Sequence, residues 1–225
     1  MPIGQSKVPN VEMTKIGNEI SPEDLDSLLR DPKATVEYRI VRATRRLLVT
    51  KGLDVSMDDI AAEAELGRRT IFRYFPSRDD LIARAFSESL QHFNKQVMSS
   101  IAVETDFKTW LTSVVTSIHQ SQLRAGRGMW ELAATDDKHL PAPIAKINRQ
   151  RRTSRRDLTL AVATEAWQRA GGENEMPRDI ELSLALTLSS FAVQSLDNDY
   201  KARESESVEA ISSMLYSFIT ERANQ

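Results

Sequence analysis

The sequence predicts an all-α protein built as a small helical head near the amino terminus and a larger helical body behind it. Three observations carry this. Apolar residues recur at three- and four-residue spacing along most of the chain, which is the repeat of a helix face. Eight Gly and eight Pro in 225 residues are few, and little of the chain reads as strand. The stretch Leu66–Leu81 holds a short basic helix cut off by Pro76, with a new helix start at once at Ser77.

Residues 1–33 form an expected N-terminal extension, partly disordered. Within it Ser21-Pro22-Glu23-Asp24 is a helix start, Leu25, Leu28 and Leu29 make one apolar edge, and Asp31-Pro32 ends it. Its acids outnumber its bases, which argues against a basic arm. The head is expected over residues 34–80. Its first helix, 34–51, carries Val36, Ile40, Ala43 and Leu47 on one stripe and Arg39, Arg42, Arg45, Arg46 and Lys51 on the other side. Gly52 ends it. Ser56 followed by Asp58 and Asp59 is a capped start with acids at the positive end of the helix dipole. Met57, Ile60, Ala61 and Ala64 then form an apolar stripe, and Leu66-Gly67 is a tight turn.

The next helix has two faces. Ile71 and Phe75 lie four apart and point into a core. Arg69, Phe72 and Arg73 share another face, flanked by Thr70 and Tyr74. Cation, ring and hydroxyl together are the groups that meet base edges and phosphates in a DNA groove. Arg68, Arg69, Arg73 and Arg78 concentrate positive charge here, although the whole chain has a net charge of -2. Two short helices, a turn and a basic second helix make a helix-turn-helix.

Ile60-Ala61-Ala62-Glu63-Ala64, then Thr70-Ile71-Phe72-Arg73-Tyr74-Phe75-Pro76-Ser77-Arg78-Asp79-Asp80-Leu81, resembles the DNA-binding domain of the tetracycline-repressor (TetR) family, over about residues 36–93. The resemblance implies that Thr70 and Tyr74 contact phosphate, that Phe72 is the DNA-facing aromatic, and that Arg78 replaces a phosphate-contacting lysine. Arg46 is a further candidate from the first helix. Three positions depart from the family pattern: Glu65 stands for a usual glycine, Gly67 for a capping hydroxyl, and Phe72 for a ring with a phenol oxygen.

Residues 81–225 are expected to form the effector-binding and dimerisation body. Ser77 caps a long helix to about residue 99, carrying Leu81, Ile82, Ala85, Phe86, Leu90, Phe93 and Val97. A helix over 107–123 follows, interrupted by Gly126 and Gly128, with a short helix over 129–133. The helix over 142–170 has a basic middle from Arg149 to Arg156, read as a solvated face. One helix over 179–196 and another over 205–222 are expected next. The first is apolar on nearly all sides and must be buried on nearly all sides. Leu184, Leu188, Val208, Ile211, Leu215 and Phe218 are the expected dimer interface, as the resemblance also implies for the last two helices.

The resulting expectation is a sequence-specific transcriptional regulator, a homodimeric repressor released from a palindromic double-stranded DNA operator by a small apolar or amphipathic effector. A DNA-binding architectural or division-linked protein without an effector is the alternative. Phe107, Trp110, Met129, Trp130, Trp167 and Phe191 are candidate pocket residues with His119 as a polar handle; the same residues also fit plain core packing. No cofactor, metal or catalytic residue is expected. Cys is absent, and His92, His119 and His139 lack metal-ligand spacing. Without a leader-like apolar run or a span of about 20 apolar residues, the cytoplasm is the expected location, and the resemblance implies that it is bacterial; no membrane partner is expected.

Overall fold

Four helices begin on side-chain caps, two of which, Ser56 and Ser77, the sequence spells out. Ser56, Ser77, Asp106 and Ser189 each accept the backbone N–H three residues on, from Asp59, Asp80, Thr109 and Ala192. The computed structural model describes residues 32–102 and 105–225, and among these are nine α-helices and no strand. They are α1 Pro32–Lys51, α2 Met57–Ala64, α3 Arg68–Tyr74, α4 Arg78–Ile101, α5 Phe107–Ala134, α6 Ala142–Arg169, α7 Arg178–Thr187, α8 Ser190–Asn198 and α9 Glu204–Ala223. Short 3-10 turns occupy Gly52–Asp54 and Asp137–His139. The expected helix start at Ser21 and the rest of the extension before residue 32 lie outside the described residues.

Glu37–Gln225 form one compact unit. In the head, Ile40, Val41 and Leu48 of α1, Ile60 and Ala64 of α2, Ile71 of α3 and Leu81 and Ile82 of α4 are buried. In the body, Trp110, Leu111, Val114 and Val115 of α5 join Val162, Ala163 and Ala166 of α6 and Ile211, Leu215 and Ile219 of α9 in one apolar cluster. Each large side chain so buried contributes roughly 1.5–3 kcal/mol. α4 packs on α5 and α6, and α9 packs on α5 and α7. The described helices include none long and apolar enough to cross a membrane.

Three expectations change. The single helix expected over 179–196 is two, α7 and α8, because Ser189 takes an extended backbone and caps α8 with its own hydroxyl. The interruption expected at Gly126 and Gly128 falls at Gly126 alone, whose φ of 65° and ψ of -165° kink α5. Gly128 stays helical and serves a different purpose: a Cβ there would lie 2.8 Å from the carbonyl oxygen of Leu48, so its bare backbone lets α5 approach α1.

The third change concerns the expected dimer interface. Leu184, Leu188, Val208, Ile211 and Leu215 belong to the subunit's own core, and Phe218 packs against that core half-buried. α7 carries leucines on two faces. Leu184 is 0% exposed beside buried Ile180 and Leu188, whereas Leu182 and Leu186, on the opposite side, are 52% and 73% exposed. Spacing finds the two leucine rows but does not say which row meets the chain's own core.

Candidate nucleic-acid interface and its link to the body

Local chemistry sets where α2 and α3 begin and end. Ser56 and Asp59 form a reciprocal capping box at the start of α2. Hydrogen bonds from Lys51 and from Ser56 hold the Asp59 carboxyl far below the usual carboxylate range. α2 ends at Glu65, in the left-handed region at φ 53° and ψ 45°. A left-handed backbone is where glycine is favoured, which is the physical meaning of the departure noted at this position. Gly67 then starts α3 without a side-chain cap. α3 stops at Phe75, whose extended backbone leads into Pro76.

α3 seats itself on Ile71 and Phe75, both buried, and turns Arg69, Phe72 and Arg73 outward. Phe72 is 42% exposed, a large apolar ring held in water. Thr70 and Tyr74 are half-buried at the edges. The Arg73 guanidinium lies 5.3 Å from the Tyr74 ring centroid, and that of Arg68 lies 5.5 Å from the Phe72 ring. Arg68 also pairs with Asp58 of α2 at 3.1 Å. The Arg69 side chain has no hydrogen bond or ion pair among the described residues.

Several other cations serve the head itself. Arg78 donates from Nε to the carbonyl of Val55 at 2.5 Å, from Nη2 to the carbonyl of Leu53, and from Nη1 to Asp79 at 2.9 Å. Its guanidinium therefore holds the loop before α2. On α1, Arg39 donates to the carbonyl of Ala64 at 2.8 Å, Arg46 pairs with Glu63 at 3.5 Å, and Lys51 pairs with Asp59. The row of α1 cations thus grips α2. The sequence-predicted DNA contacts divide accordingly. Arg69, Phe72 and Arg73 share one outward face, while Arg46, Arg68 and Arg78 already have carboxylate or carbonyl partners.

Glu131, on the part of α5 after the kink, is a residue the sequence reading missed. Its carboxylate accepts the backbone N–H of Leu53 at 2.7 Å and the Nε of Arg127 at 2.5 Å; Arg127 also reaches Asp54 at 3.4 Å. It sits directly over Gly52, at φ 68°, where any Cβ would collide with it. The loop Gly52–Val55 is therefore held through its N–H by the body and through its carbonyls by Arg78. No spacing rule links positions so far apart in the chain.

Of the candidate pocket residues, Trp110 and Trp167 lie in the body's apolar cluster and Phe107 packs against it. Trp110 is fully buried and donates Nε1 to the carbonyl of Ile101 at 3.0 Å, and Trp167 donates to that of Asn174 at 2.9 Å. Phe107 packs beside Trp110 and Tyr216, with centroids 6.3 and 5.2 Å away. Met129 is buried, while Trp130 and Phe191 are exposed. His119 is buried with no partner for Nδ1, and burial pushes its pKa down against the opposing pull of Glu204 and Asp197. No grouping of His, Asp or Glu able to hold a metal is present among the described residues.

Residues 40–85 match the family model of bacterial regulatory proteins, tetR family. Among solved structures, a TetR-like transcriptional regulator from Rhodococcus sp. RHA1 is 16% identical with a TM-score of 0.61, covering 84% of this chain and 98% of its own. The transcriptional regulator FadR from Bacillus subtilis, in complex with stearoyl-CoA, is 17% identical with a TM-score of 0.58, covering 81% and 97%. AibR, in complex with isovaleryl coenzyme A and operator DNA, is 14% identical with a TM-score of 0.60, covering 80% and 98%. At these identities the likeness is one of fold. A comparison with curated protein sequences finds no match.

Proposed function

We propose that this chain, whose residues 40–85 match the tetR family model, is a homodimeric repressor that leaves a palindromic operator when a small amphipathic effector binds its body. The observation that carries this is the outward face of α3. Arg69, Phe72 and Arg73 stand exposed on a helix anchored from behind by Ile71 and Phe75, while neighbouring cations are tied to the head. Arg69 and Arg73 suit base edges or phosphates, and Phe72 suits a thymine methyl. Thr70 and Tyr74 flank the face as phosphate contacts.

Dimerisation is supported by what α7 and α9 leave uncovered. Leu182 and Leu186 of α7 and Met214 of α9 are exposed, and Ala210, Ser213 and Ser217 surround Met214 with small side chains that let a second helix come close. Two α3 helices in one dimer would enter successive major grooves ~34–36 Å apart. An effector role is supported by the acyl-CoA complexes of FadR and AibR, proteins of the same fold. An effector would act through its difference in affinity between the DNA-bound and released states. The Glu131 contact with the Gly52–Asp54 turn offers a physical route from body to head.

The test is fluorescence-anisotropy binding to duplex DNA from upstream of the protein's own gene, with random duplex as control, across a salt series. Tight, selective binding with a steep salt dependence is expected. Equal binding to both duplexes would favour an architectural role instead, and no binding at low salt would overturn the proposal.

A further inference from the structure

The inward face of α6 is apolar at both ends and cationic in the middle. Positions 144, 148, 151, 155, 158 and 162 follow three- and four-residue spacing and so share one side of the helix. Ile144, Asn148 and Val162 are buried there, and Leu158 packs against the body's apolar cluster. Between them lie Arg151 and Arg155, one turn apart and half-buried. This departs from the expected solvated face. Arg149 and Arg152 do turn outward, and both pair with Asp137, at 3.4 and 2.5 Å.

Arg151 and Arg155 have no such carboxylate. Arg151 donates Nε to Oδ1 of Asn148 at 3.0 Å, and Arg155 donates to the carbonyl of Ala185 on α7. Asn148 is fully buried and is itself fixed, its Nδ2 donating to Asp137 at 3.0 Å and to the carbonyl of Thr135 at 3.4 Å. The orientation of Arg151 is thus built in from behind. Burial, reinforced by Arg155 and Arg152, pushes the Arg151 guanidinium down to about 10, and burial lowers Arg155 as well. Asp137 pulls Arg151 the other way, but from a distance: no carboxylate touches either guanidinium among the described residues, and two like charges drawn out of water without a contacting counter-charge are unfavourable to the folded chain. A guanidinium has five N–H donors in a planar fork, and the bonds just described use one from each residue. The rest match the two oxygens of a carboxylate or the oxygens of a phosphate.

We infer that Arg151 and Arg155 hold the oxyanion head group, carboxylate or phosphate, of an amphipathic effector whose apolar part lies in the body. The inference rests on the effector reading above and assigns that ligand its charge and its anchor. A bound oxyanion supplies a counter-charge in direct contact, which Asp137 does not, so the ligand is recognised by relief of a repulsion already present in the empty chain.

The experiment is calorimetric titration of the full chain with laurate, dodecyl phosphate and dodecanol at concentrations below micelle formation. It is run on the wild type and on R151Q, R155Q and R156Q. The anions are expected to bind at least about tenfold more tightly than the alcohol. R151Q and R155Q should each abolish that preference while keeping alcohol affinity and helical circular dichroism; R156Q, at an outward arginine paired with Asp157, should behave as wild type. The stronger of laurate and dodecyl phosphate identifies the head group. Equal affinity for alcohol and anions, binding of none of the three, or undiminished anion affinity in folded R151Q and R155Q would overturn the site. If R151Q does not fold, R155Q and R151K decide, the lysine being expected to keep charge but lose about tenfold by losing the fork. Operator binding is measured in parallel without ligand. Selective DNA binding with no anion preference sinks this site alone, whereas an intact anion site with no DNA binding sinks only the regulator reading.

Discussion

The carboxylate of Glu131 and the backbone amide of Leu53 meet at 2.7 Å, joining the kinked end of α5 to the turn that follows α1. Replacing Glu131 by Ala leaves that N–H without its charged acceptor and leaves Arg127 with Asp54 alone. A loss of about 1.5–3 kcal/mol is expected, the range for hydrogen bonds to charged groups. It is read from the urea midpoint at unchanged slope. Gly52→Ala should be destabilising at the same joint, by at least about 0.5–1 kcal/mol, the left-handed cost less glycine's unfolded-state freedom, because the new methyl also displaces the Glu131 carboxylate. Wild-type stability in either variant would show that this joint does not support the fold.

Glu65 offers the opposite sign. A non-glycine residue in the left-handed region costs about 1–2 kcal/mol, and glycine's greater freedom when unfolded returns about 0.5–1 of it. Glu65→Gly is therefore expected to stabilise by about 0.5–1 kcal/mol, raising the melting temperature by a few degrees. Gly67→Ser should add a few tenths of a kcal/mol by capping α3. Open space surrounds Gly67, so the new side chain meets nothing. A lower melting temperature for Glu65→Gly would mean the carboxylate has a role in the head that its exposure hides.

On DNA, Arg69→Ala or Arg73→Ala should weaken specific binding by ~1–3 kcal/mol where the side chain reads a base. Phe72→Ala should flatten preference among operator variants. Arg78→Ala should instead lower the melting temperature, since its guanidinium holds the carbonyls of Leu53 and Val55. Anisotropy on specific and random duplex, set beside thermal melts, separates the two kinds of residue. Equal loss on both duplexes would make Arg69 or Arg73 a phosphate contact.

For self-association, Leu186→Glu and Met214→Glu are expected to give monomers in sedimentation while keeping helical content. Leu215→Glu should unfold the body, because Leu215 is 1% exposed within it. A Leu186→Glu variant that still sediments as a dimer would rule out the outward face of α7 as the interface.

Asp137 gives the pH dependence. The Arg152 hydrogen bond, helped by Asn148, lowers its pKa from 3.8 to about 2. A carboxyl depressed on folding stabilises the native state above its unfolded pKa, and that contribution fades as pH falls through the folded value. The Asp137 contribution should therefore be complete above about pH 4 and lost toward pH 2. Comparing acid unfolding of wild type and Asp137→Asn should show a difference that shrinks across this window. A difference that persisted unchanged to pH 2 would exclude the ion pair as its source.

The parts legible in the sequence are those set by neighbours along the chain. Ser56 and Asp59, Ser77 and Asp80, and the Ile71/Phe75 seat of α3 are all local, and each is found where spacing and capping chemistry put it. The rest depends on which way a face turns. Leu184 and Leu186 are the same residue type two apart, yet one is core and the other is exposed. Ser189 breaks an apolar run that periodicity reads as continuous. Arg151 and Arg155 were hidden inside a basic block, although their register with Ile144, Leu158 and Val162 is visible once the helix face is traced. Glu131 and Leu53 are brought together only by tertiary packing.

Gly126 has a consequence for how the body opens. With φ at 65° and ψ at -165°, it interrupts the regular backbone of α5 and divides the 28-residue helix into two stretches. Cooperative units of amide exchange follow continuous hydrogen-bonded structure. The stretch carrying Trp110 should exchange with the central core, and the stretch carrying Glu131 should follow the head. A single helix would then belong to two opening units with separate protection, and Gly126 would mark the border between their timescales.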